Sequence, residues 1–250
     1  MHIYVLSRVD DIDRRLSIST QLDKYTEEYS FFDAIEPHNL LEESKHKESK
    51  LTLGEVCCAL SHVAIYKDIV KSELGYAVII EDDAKIYDSI KKYSKKLESL
   101  HKRFDVIILG YSKVDSRIMH KMQFIRPLLR LTFDNIKVGF PYKQWKCGTV
   151  AYSISNKGAE KLQRVNCFGT NTADDWNYFE ENDLLIGHFI PPFISEDFAT
   201  FGSSLEKDRN TFKSRNIFMR YMAGVIRHLY LPLRYIQYIK RPWLNSHDHK

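Results

Sequence analysis

The sequence lacks the long apolar segment that a membrane span requires. None of its 250 residues falls within an uninterrupted apolar run of about eighteen residues. The chain begins Met1-His2-Ile3-Tyr4-Val5-Leu6 and turns charged at Arg8. A secretory signal peptide would show a basic segment followed by a long apolar core, and this pattern is missing. We therefore expect a cytoplasmic protein.

Cysteine is scarce, and its spacing points to no metal site. The adjacent pair Cys57 and Cys58 and the isolated Cys147 and Cys167 match neither a zinc motif nor a disulfide framework. Reduced thiols in a cytosolic protein are the expectation.

Several short catalytic motifs are also absent. Without GxGxxG or GxxxxGK[ST], a dinucleotide-type Rossmann turn or a P-loop is not expected, and neither GxSxG nor HExxH occurs. The absence of a His-rich two-metal cluster disfavours a metal-dependent phosphohydrolase. The formal net charge of +4 is mild, and no basic stripe accompanies a recognisable nucleic-acid module. Nucleic acid is therefore not an expected partner.

What is present is an alternation of apolar strand segments with amphipathic helical ones. Predicted strands cover residues 2–7, a short segment near 33–35, 76–80, 104–110, 147–155 and 184–194. Predicted helices cover residues 12–24, 53–70, 88–101 and 156–165. Residues 174–182 are expected to form a short helix or a turn, and 111–147 looks irregular. Such alternation indicates an α/β fold, with a mainly parallel mixed sheet flanked by helices.

The most informative segment runs from a buried strand into three carboxylates, Glu81, Asp82 and Asp83. Because side chains alternate along a strand, Glu81 and Asp83 are expected to point one way and Asp82 the other. Two carboxylates on one side suit Mg²⁺ or Mn²⁺, which take oxygen ligands together with substrate phosphates. The alternative is a plain acidic turn after a buried strand.

Six ordered segments together resemble glycosyltransferase family 25, the bacterial lipooligosaccharide galactosyltransferases and their relatives. The segments are Ile3–Arg15 with its Arg14-Arg15 pair, Phe32-Asp33-Ala34, Gly54–His62, Ile80–Asp83, Cys147–Tyr152 and Ser203–Glu206. Each is weak alone, but their order spans roughly residues 1–210.

The resemblance implies a GT-A-like single nucleotide-binding domain over residues 1–210, followed by a basic amphipathic helical tail over 211–250. It also implies an inverting, metal-assisted transfer of a hexose, most often galactose from UDP-galactose, onto a lipooligosaccharide or lipopolysaccharide core sugar. A UDP-glucose-dependent transferase and a non-catalytic nucleotide-sugar-binding scaffold on the same fold are the alternatives.

By the same resemblance, Asp83 and Glu81 are the candidate ligands of Mn²⁺ or Mg²⁺, and a third ligand stays open. The residues expected around the donor are Leu6, Ser7, Arg15, Asp33, Ala34, Ser61, His62, Asp82, Gly148 and Thr149. Asp175 is the first choice for the general base, which takes the acceptor proton, and Asp174 is the second.

Structural roles compete with several of these assignments. Glu81 can bond backbone amides at a strand end, and Arg15 can be an ordinary exposed helical residue. His62 can be a hydrogen-bonded core residue, and Asp175 can cap a helix.

The tail combines basic residues with aromatic and apolar ones, and residues 209–241 contain Lys and Arg but no Asp or Glu. This composition predicts peripheral binding to the anionic inner membrane, close to a lipid-linked oligosaccharide acceptor. The alternative is a helix packed on the domain or on a second copy of the chain, which leaves a homodimer open.

Overall fold

The computed structural model describes residues 1–39, 51–112, 114, 119–133, 135–197, 200 and 217–239. The strands are β1 His2–Ser7, β2 Tyr29–Asp33, β3 Tyr76–Glu81, β4 Ala84–Ile86, β5 Val106–Ile108, β6 Gly110–Tyr111, β7 Leu129–Phe133, β8 Ile136–Phe140, β9 Ala151–Ser155, β10 Ile186–Ile190 and β11 Ile194–Glu196. The α-helices are α1 Ile12–Lys24, α2 Leu53–Lys71, α3 Ser94–His101, α4 Met119–Ile125, α5 Asn156–Val165, α6 Trp176–Glu181 and α7 Ile217–Ile239.

The strands form two sheets. The larger has the order β2-β1-β3-β9-β5-β10-β8-β7, and the smaller has the order β4-β11-β6. Strand β1 is parallel to both β2 and β3, and β10 is parallel to β5. Strand β9 is antiparallel to β3 and β5, so the segment that precedes β9 lies at the same edge as the carboxyl ends of β1, β2 and β3. This edge carries the candidate site.

Both faces of the large sheet are covered, as the alternation along β1 illustrates. Ile3 and Val5 pack with Ile18 and Leu22 of α1 on one face. The alternate residues of β1, Tyr4 and Leu6, belong to the core layer on the other face, which includes side chains of α2, α5 and α6. A strand buried on both faces reads as a continuous apolar run, which explains why β1 and β3 are easily recognised in the sequence.

The expected α/β fold class, with a mixed sheet flanked by helices, is confirmed, with two corrections. The large sheet is more evenly mixed than predicted, since three of its strand pairs are parallel and four antiparallel. The segment 111–147 contains α4 and the β7-β8 pair, although it looked irregular. The predicted domain boundary at residue 210 lies outside the described residues.

Helix α7 packs against α4 and β7 with part of its surface. The Arg227 Nη1 atom donates to the Ile125 carbonyl oxygen at 2.9 Å, and Arg234 pairs with Glu180 in a buried contact. The rest of the helix exposes large apolar side chains, with Leu229 73% exposed. None of the helices that the structure describes is both long and apolar enough to cross a membrane.

Candidate active site

A cleft of about 800 Å³ opens at the sheet edge where β1, β2 and β3 end. Ser7 ends β1, and its carbonyl oxygen accepts from the Ala34 N–H just after β2 at 2.9 Å. The Ser61 hydroxyl on α2 accepts from the Ile35 N–H at 2.8 Å and so holds the segment after β2 against the helix. These contacts give the cleft a fixed wall on the side of β1, β2 and α2.

The carboxylate triplet forms the floor of the cleft, but its side chains do not alternate as expected. Strand β3 ends at Glu81, so the strand period no longer applies to Asp82 and Asp83. Both accept from Arg14 Nη1, at 3.1 and 3.2 Å, and Asp82 also accepts from the Ser7 hydroxyl at 2.7 Å. Glu81 instead accepts from the Thr149 hydroxyl.

Asp83 is the carboxylate best suited to a cation. Its Oδ1 atom is buried and has no hydrogen-bond partner among the described residues. Burial, together with the charges of Glu81 and Glu196, raises the pKa of Asp83 to about 8 despite the opposing effect of Arg14. A carboxyl surrounded by other carboxylates gains most from a bound divalent cation, and oxygen donors are what Mg²⁺ and Mn²⁺ prefer. The residues present therefore fit a hard-cation site.

The loop before β9 closes the opposite side of the cleft. The Gly148 N–H donates to Asp174 Oδ2 at 3.1 Å, and its carbonyl oxygen accepts from the Trp176 indole N–H at 3.1 Å. Gly148 has φ +81, and a Cβ atom there would lie 1.7 Å from Ser112 Oγ. The glycine is thus required by the protein's own packing.

Asp174 and Asp175 are adjacent but have different surroundings. Asp174 lines the cleft, and burial raises its pKa although its hydrogen bonds with Thr172 and Gly148 act in the opposite direction. Asp175 is the N-cap of α6 and forms an ion pair with Lys146 Nζ at 3.1 Å. In the structure Asp175 therefore caps a helix, which is the alternative role given for it above.

The structure brings ten of the fourteen candidate residues to the cleft. These are Leu6, Ser7, Ala34, Ser61, Glu81, Asp82, Asp83, Gly148, Thr149 and Asp174. Arg15, Asp33, His62 and Asp175 do not line it. Arg15 pairs with Asp33 and also donates to the Ser7 carbonyl oxygen at 3.2 Å, so this pair braces the ends of β1 and β2.

His62 is buried behind the cleft wall. Its Nδ1 atom lies 2.8 Å from the Tyr152 hydroxyl, which lies 2.7 Å from the Tyr66 hydroxyl. Its Nε2 atom faces Glu81 Oε1 at 3.5 Å. Burial acts to raise the pKa of Glu81, but contacts with His62, Thr149 and Arg14 prevail and lower it.

The lining residues that were not among the candidates include Arg14, Lys146 and Glu196. A signal for Arg14 was available, because it precedes the buried Ile18 and Leu22 at four-residue spacing and so shares their helix face. Glu196 ends β11, which pairs with β4 directly after the triplet. The pairing of β11 with β4 is a long-range contact, which no local sequence pattern predicts.

Comparison with known proteins gives a consistent result. A model of the family described as "Glycosyltransferase family 25 (LPS biosynthesis protein)" matches residues 1–176. The chain is similar to the lipooligosaccharide biosynthesis protein lic2B of Haemophilus influenzae, with 28% identity over 74% of this chain and 70% of that protein. It is 22% identical to the lacto-N-neotetraose biosynthesis glycosyltransferase LgtE of Neisseria gonorrhoeae, over 92% of this chain and 89% of that protein. A 31% identity with human procollagen galactosyltransferase 2 covers 48% of this chain and 18% of that protein.

Proposed function

This chain belongs to glycosyltransferase family 25, and from that premise we propose that it moves a hexose, galactose from UDP-galactose, onto a core sugar of a lipooligosaccharide or lipopolysaccharide. The observation that carries the proposal is the cleft, where Asp83 and Arg14 meet at the carboxyl ends of parallel strands. In open α/β sheets this edge is where nucleotide ligands bind. The relatives named for galactosyl transfer and lipooligosaccharide synthesis support the sugar and the acceptor class.

In this proposal the donor lies along the wall formed by β1, β2 and α2. The uracil and ribose would face Ala34 and Ser61, and the diphosphate would lie near Ser7 and Arg14. Arg14 is a charged donor whose fork of N–H groups matches phosphate oxygens. Because Arg14 already donates to Asp82 and Asp83, its side chain is held in place before the donor arrives.

Asp83 would hold a Mn²⁺ or Mg²⁺ ion, together with Glu196 and Glu81. The choice of Asp83 rests on its unpartnered, buried Oδ1 atom, and the choice of Glu196 rests on its charge, which raises the pKa of Asp83. Such an ion supplies positive charge that offsets the charge developing on the leaving diphosphate.

Asp174 is the proposed general base, in preference to Asp175. It lines the cleft, and burial raises its pKa, which makes its carboxylate a stronger base than that of an ordinary aspartate. The Gly148 N–H fixes one carboxylate oxygen of Asp174, so that the other can accept the proton of an acceptor hydroxyl. Attack by that hydroxyl from the face opposite the diphosphate gives inversion at the transferred carbon.

Helix α7 would place the domain on an anionic bilayer that carries the lipid-linked acceptor. Its described basic side chains, Arg227 and Arg234, contact the domain instead of solvent. The exposed face is mainly apolar and includes Met219, Tyr221, Met222, Val225, Ile226, Leu229, Tyr230, Leu233, Tyr235, Ile236 and Ile239. Membrane binding would thus come mainly from apolar burial by α7, and the basic residues that flank it in sequence would add attraction to acidic lipids.

Liposome flotation tests this membrane assignment. Replacing Leu229 with Glu removes one apolar anchor of about 1.5–3 kcal/mol and should weaken binding roughly 10- to 100-fold. Phe168→Glu is the matched control, because Phe168 is 72% exposed and lies outside α7. Equal binding by both variants would contradict the assignment.

The catalytic assignment is separated from the scaffold alternative by two measurements on the same sample. Calorimetry with UDP and Mn²⁺ reports nucleotide binding, and an assay of UDP release from UDP-galactose and UDP-glucose reports turnover, each with and without chelator. We expect binding and turnover, with both reduced by chelator. Binding without turnover for any donor and acceptor would support the scaffold.

A further inference from the structure

A second group of metal-binding side chains lies in the wall of the cleft. Cys58 and His62 are four residues apart on α2 and so share a helix face, and this face meets Glu81 at the end of β3. The Cys58 thiol, a His62 ring nitrogen and a Glu81 carboxylate oxygen all lie within 4.8 Å of one another. These atoms are a sulfur, a nitrogen and an oxygen, whereas Asp83 and its acidic neighbours offer oxygen alone.

The His62 ring is positioned as a metal ligand would be. His62 is 1% exposed, and its Nε2 atom has no hydrogen-bond partner among the described residues. The other ring nitrogen is held by the Tyr152 hydroxyl at 2.8 Å, which fixes the ring orientation. A hydrogen bond to the second ring nitrogen is the usual support of a metal-bound histidine. His62 Nε2 makes no hydrogen bond with a described residue but faces Glu81 Oε1 at 3.5 Å, so a cation bound between them would satisfy both atoms.

The distances fit a tetrahedral ion. Zinc bonds of about 2.0–2.3 Å place neighbouring ligand atoms about 3.3–3.8 Å apart. His62 Nε2 and Glu81 Oε1 are 3.5 Å apart and already meet this spacing. All three ligand atoms lie within 4.8 Å of one another, so they would move together by about 1 Å at most when an ion binds. Cys58 and Glu81 line the cleft, so an ion can enter and keep a fourth position open to water.

We propose that Cys58, His62 and Glu81 form a binding site for Zn²⁺ or a similar borderline-soft divalent ion inside the cleft, which shares Glu81 with the hard-cation site at Asp83. Sulfur and imidazole ligands select such ions over Mg²⁺. Binding forms one metal–sulfur bond and releases the thiol proton of Cys58 to solvent, so one proton leaves for each ion bound. His62 binds through Nε2 and keeps its proton on Nδ1, from which it donates to Tyr152.

Occupation of this site engages Glu81 and puts an ion in the donor cleft, so Zn²⁺ is expected to inhibit transfer. This consequence rests on the proposed function, whereas the site itself does not. The primary test therefore measures binding and not turnover.

The full chain, kept reduced, is titrated with Co²⁺ alone, a spectroscopic substitute for Zn²⁺. We expect a thiolate-to-metal charge-transfer band that saturates at one ion per chain, with one proton released as the band forms, and Zn²⁺ should abolish the band. Cys58→Ser should lose the band, while Cys57→Ser, which changes the adjacent thiol outside the trio, should keep it. Tyr152→Phe retains all three ligands and should weaken binding about 10- to 100-fold.

No charge-transfer band in the wild-type chain, or an equal band in Cys58→Ser, would overturn the site. Circular dichroism of each variant checks that it folds, and if Cys58→Ser does not, Cys58→Ala replaces it. The outcomes also separate this inference from the proposed function. If the chain is an active transferase but shows no band, the metal site is refuted and the proposed function stands. If the chain shows the band but is inactive, the proposed function is refuted and the metal site stands.

Discussion

Replacing Asp174 with Asn should remove the general base and little else. The Asn side-chain oxygen can still accept from the Gly148 N–H, now 3.1 Å from Asp174 Oδ2, so the loop before β9 should keep its place. The amide cannot take a proton from the acceptor. General-base catalysis contributes about 10²–10⁴-fold, so kcat should fall by that factor, equivalent to about 3–5 kcal/mol in the barrier. The KM for the donor should change only a few-fold.

Asp175→Asn is the matched control, since it makes the same chemical change one residue away. Asn is as good an N-cap as Asp, so the start of α6 should stay intact. The ion pair with Lys146 is lost, but the Lys146 side chain is 52% exposed, and such pairs are worth about 0–1 kcal/mol. We expect kcat to stay within a few-fold of the wild type.

Initial rates of UDP release at saturating donor and Mn²⁺ measure kcat, and calorimetry with UDP verifies that each variant still binds nucleotide. Because burial raises the pKa of Asp174, the wild-type rate should fall on acidification at a pH above the ordinary range of an aspartate, and Asp174→Asn should lose this dependence. A large loss for Asp175→Asn with little loss for Asp174→Asn would refute the assignment.

Two further outcomes concern charge in the cleft and beneath α7. Mn²⁺ should bind more tightly by up to about tenfold per pH unit as pH rises towards 8, because Asp83, whose pKa is raised from 3.8 to about 8, must release its proton to bind the ion. Equal affinities by calorimetry near pH 6 and pH 8 would contradict this. Glu180→Gln should lower the free energy of unfolding by about 3–5 kcal/mol, because Arg234 keeps a buried charge without its partner. Glu181→Gln, in an exposed pair with Lys143, should cost under about 1 kcal/mol in the same denaturant titration, and equal losses would argue against the buried pair.

The elements that the sequence predicts best are those with strong local signals. β1, α1, α2 and β3 carry continuous apolar runs or helical stripes, and their observed bounds differ little from the predicted ones. In β7 half-buried residues alternate with exposed ones, and the surrounding segment is rich in basic and polar residues. For this reason the β7-β8 pair was missed. The position of β9 between β3 and β5 depends on long-range pairing, which periodicity does not contain.

For the candidate site too, local sequence signals predict some features, whereas others depend on long-range contacts. The sequence predicts which acids end β3, but the orientation of Asp82 and Asp83 depends on where the strand stops. The preference for Asp174 over Asp175 depends on where α6 begins. The side chain of Asp175 caps this helix, whereas that of the preceding residue, Asp174, does not. The tail composition suggested basic residues facing a membrane, whereas Arg227 and Arg234 face the domain because partners on α4 and α6 are available there.

The most direct measurement of the central claim is a donor screen read by mass spectrometry, with a truncated lipooligosaccharide as acceptor and Mn²⁺ present. The account predicts that UDP-galactose adds the mass of one hexosyl residue to the acceptor, and that Asp83→Ala or chelator abolishes the addition while the variant remains folded. No mass gain from any nucleotide sugar, in a sample that binds UDP, would contradict it.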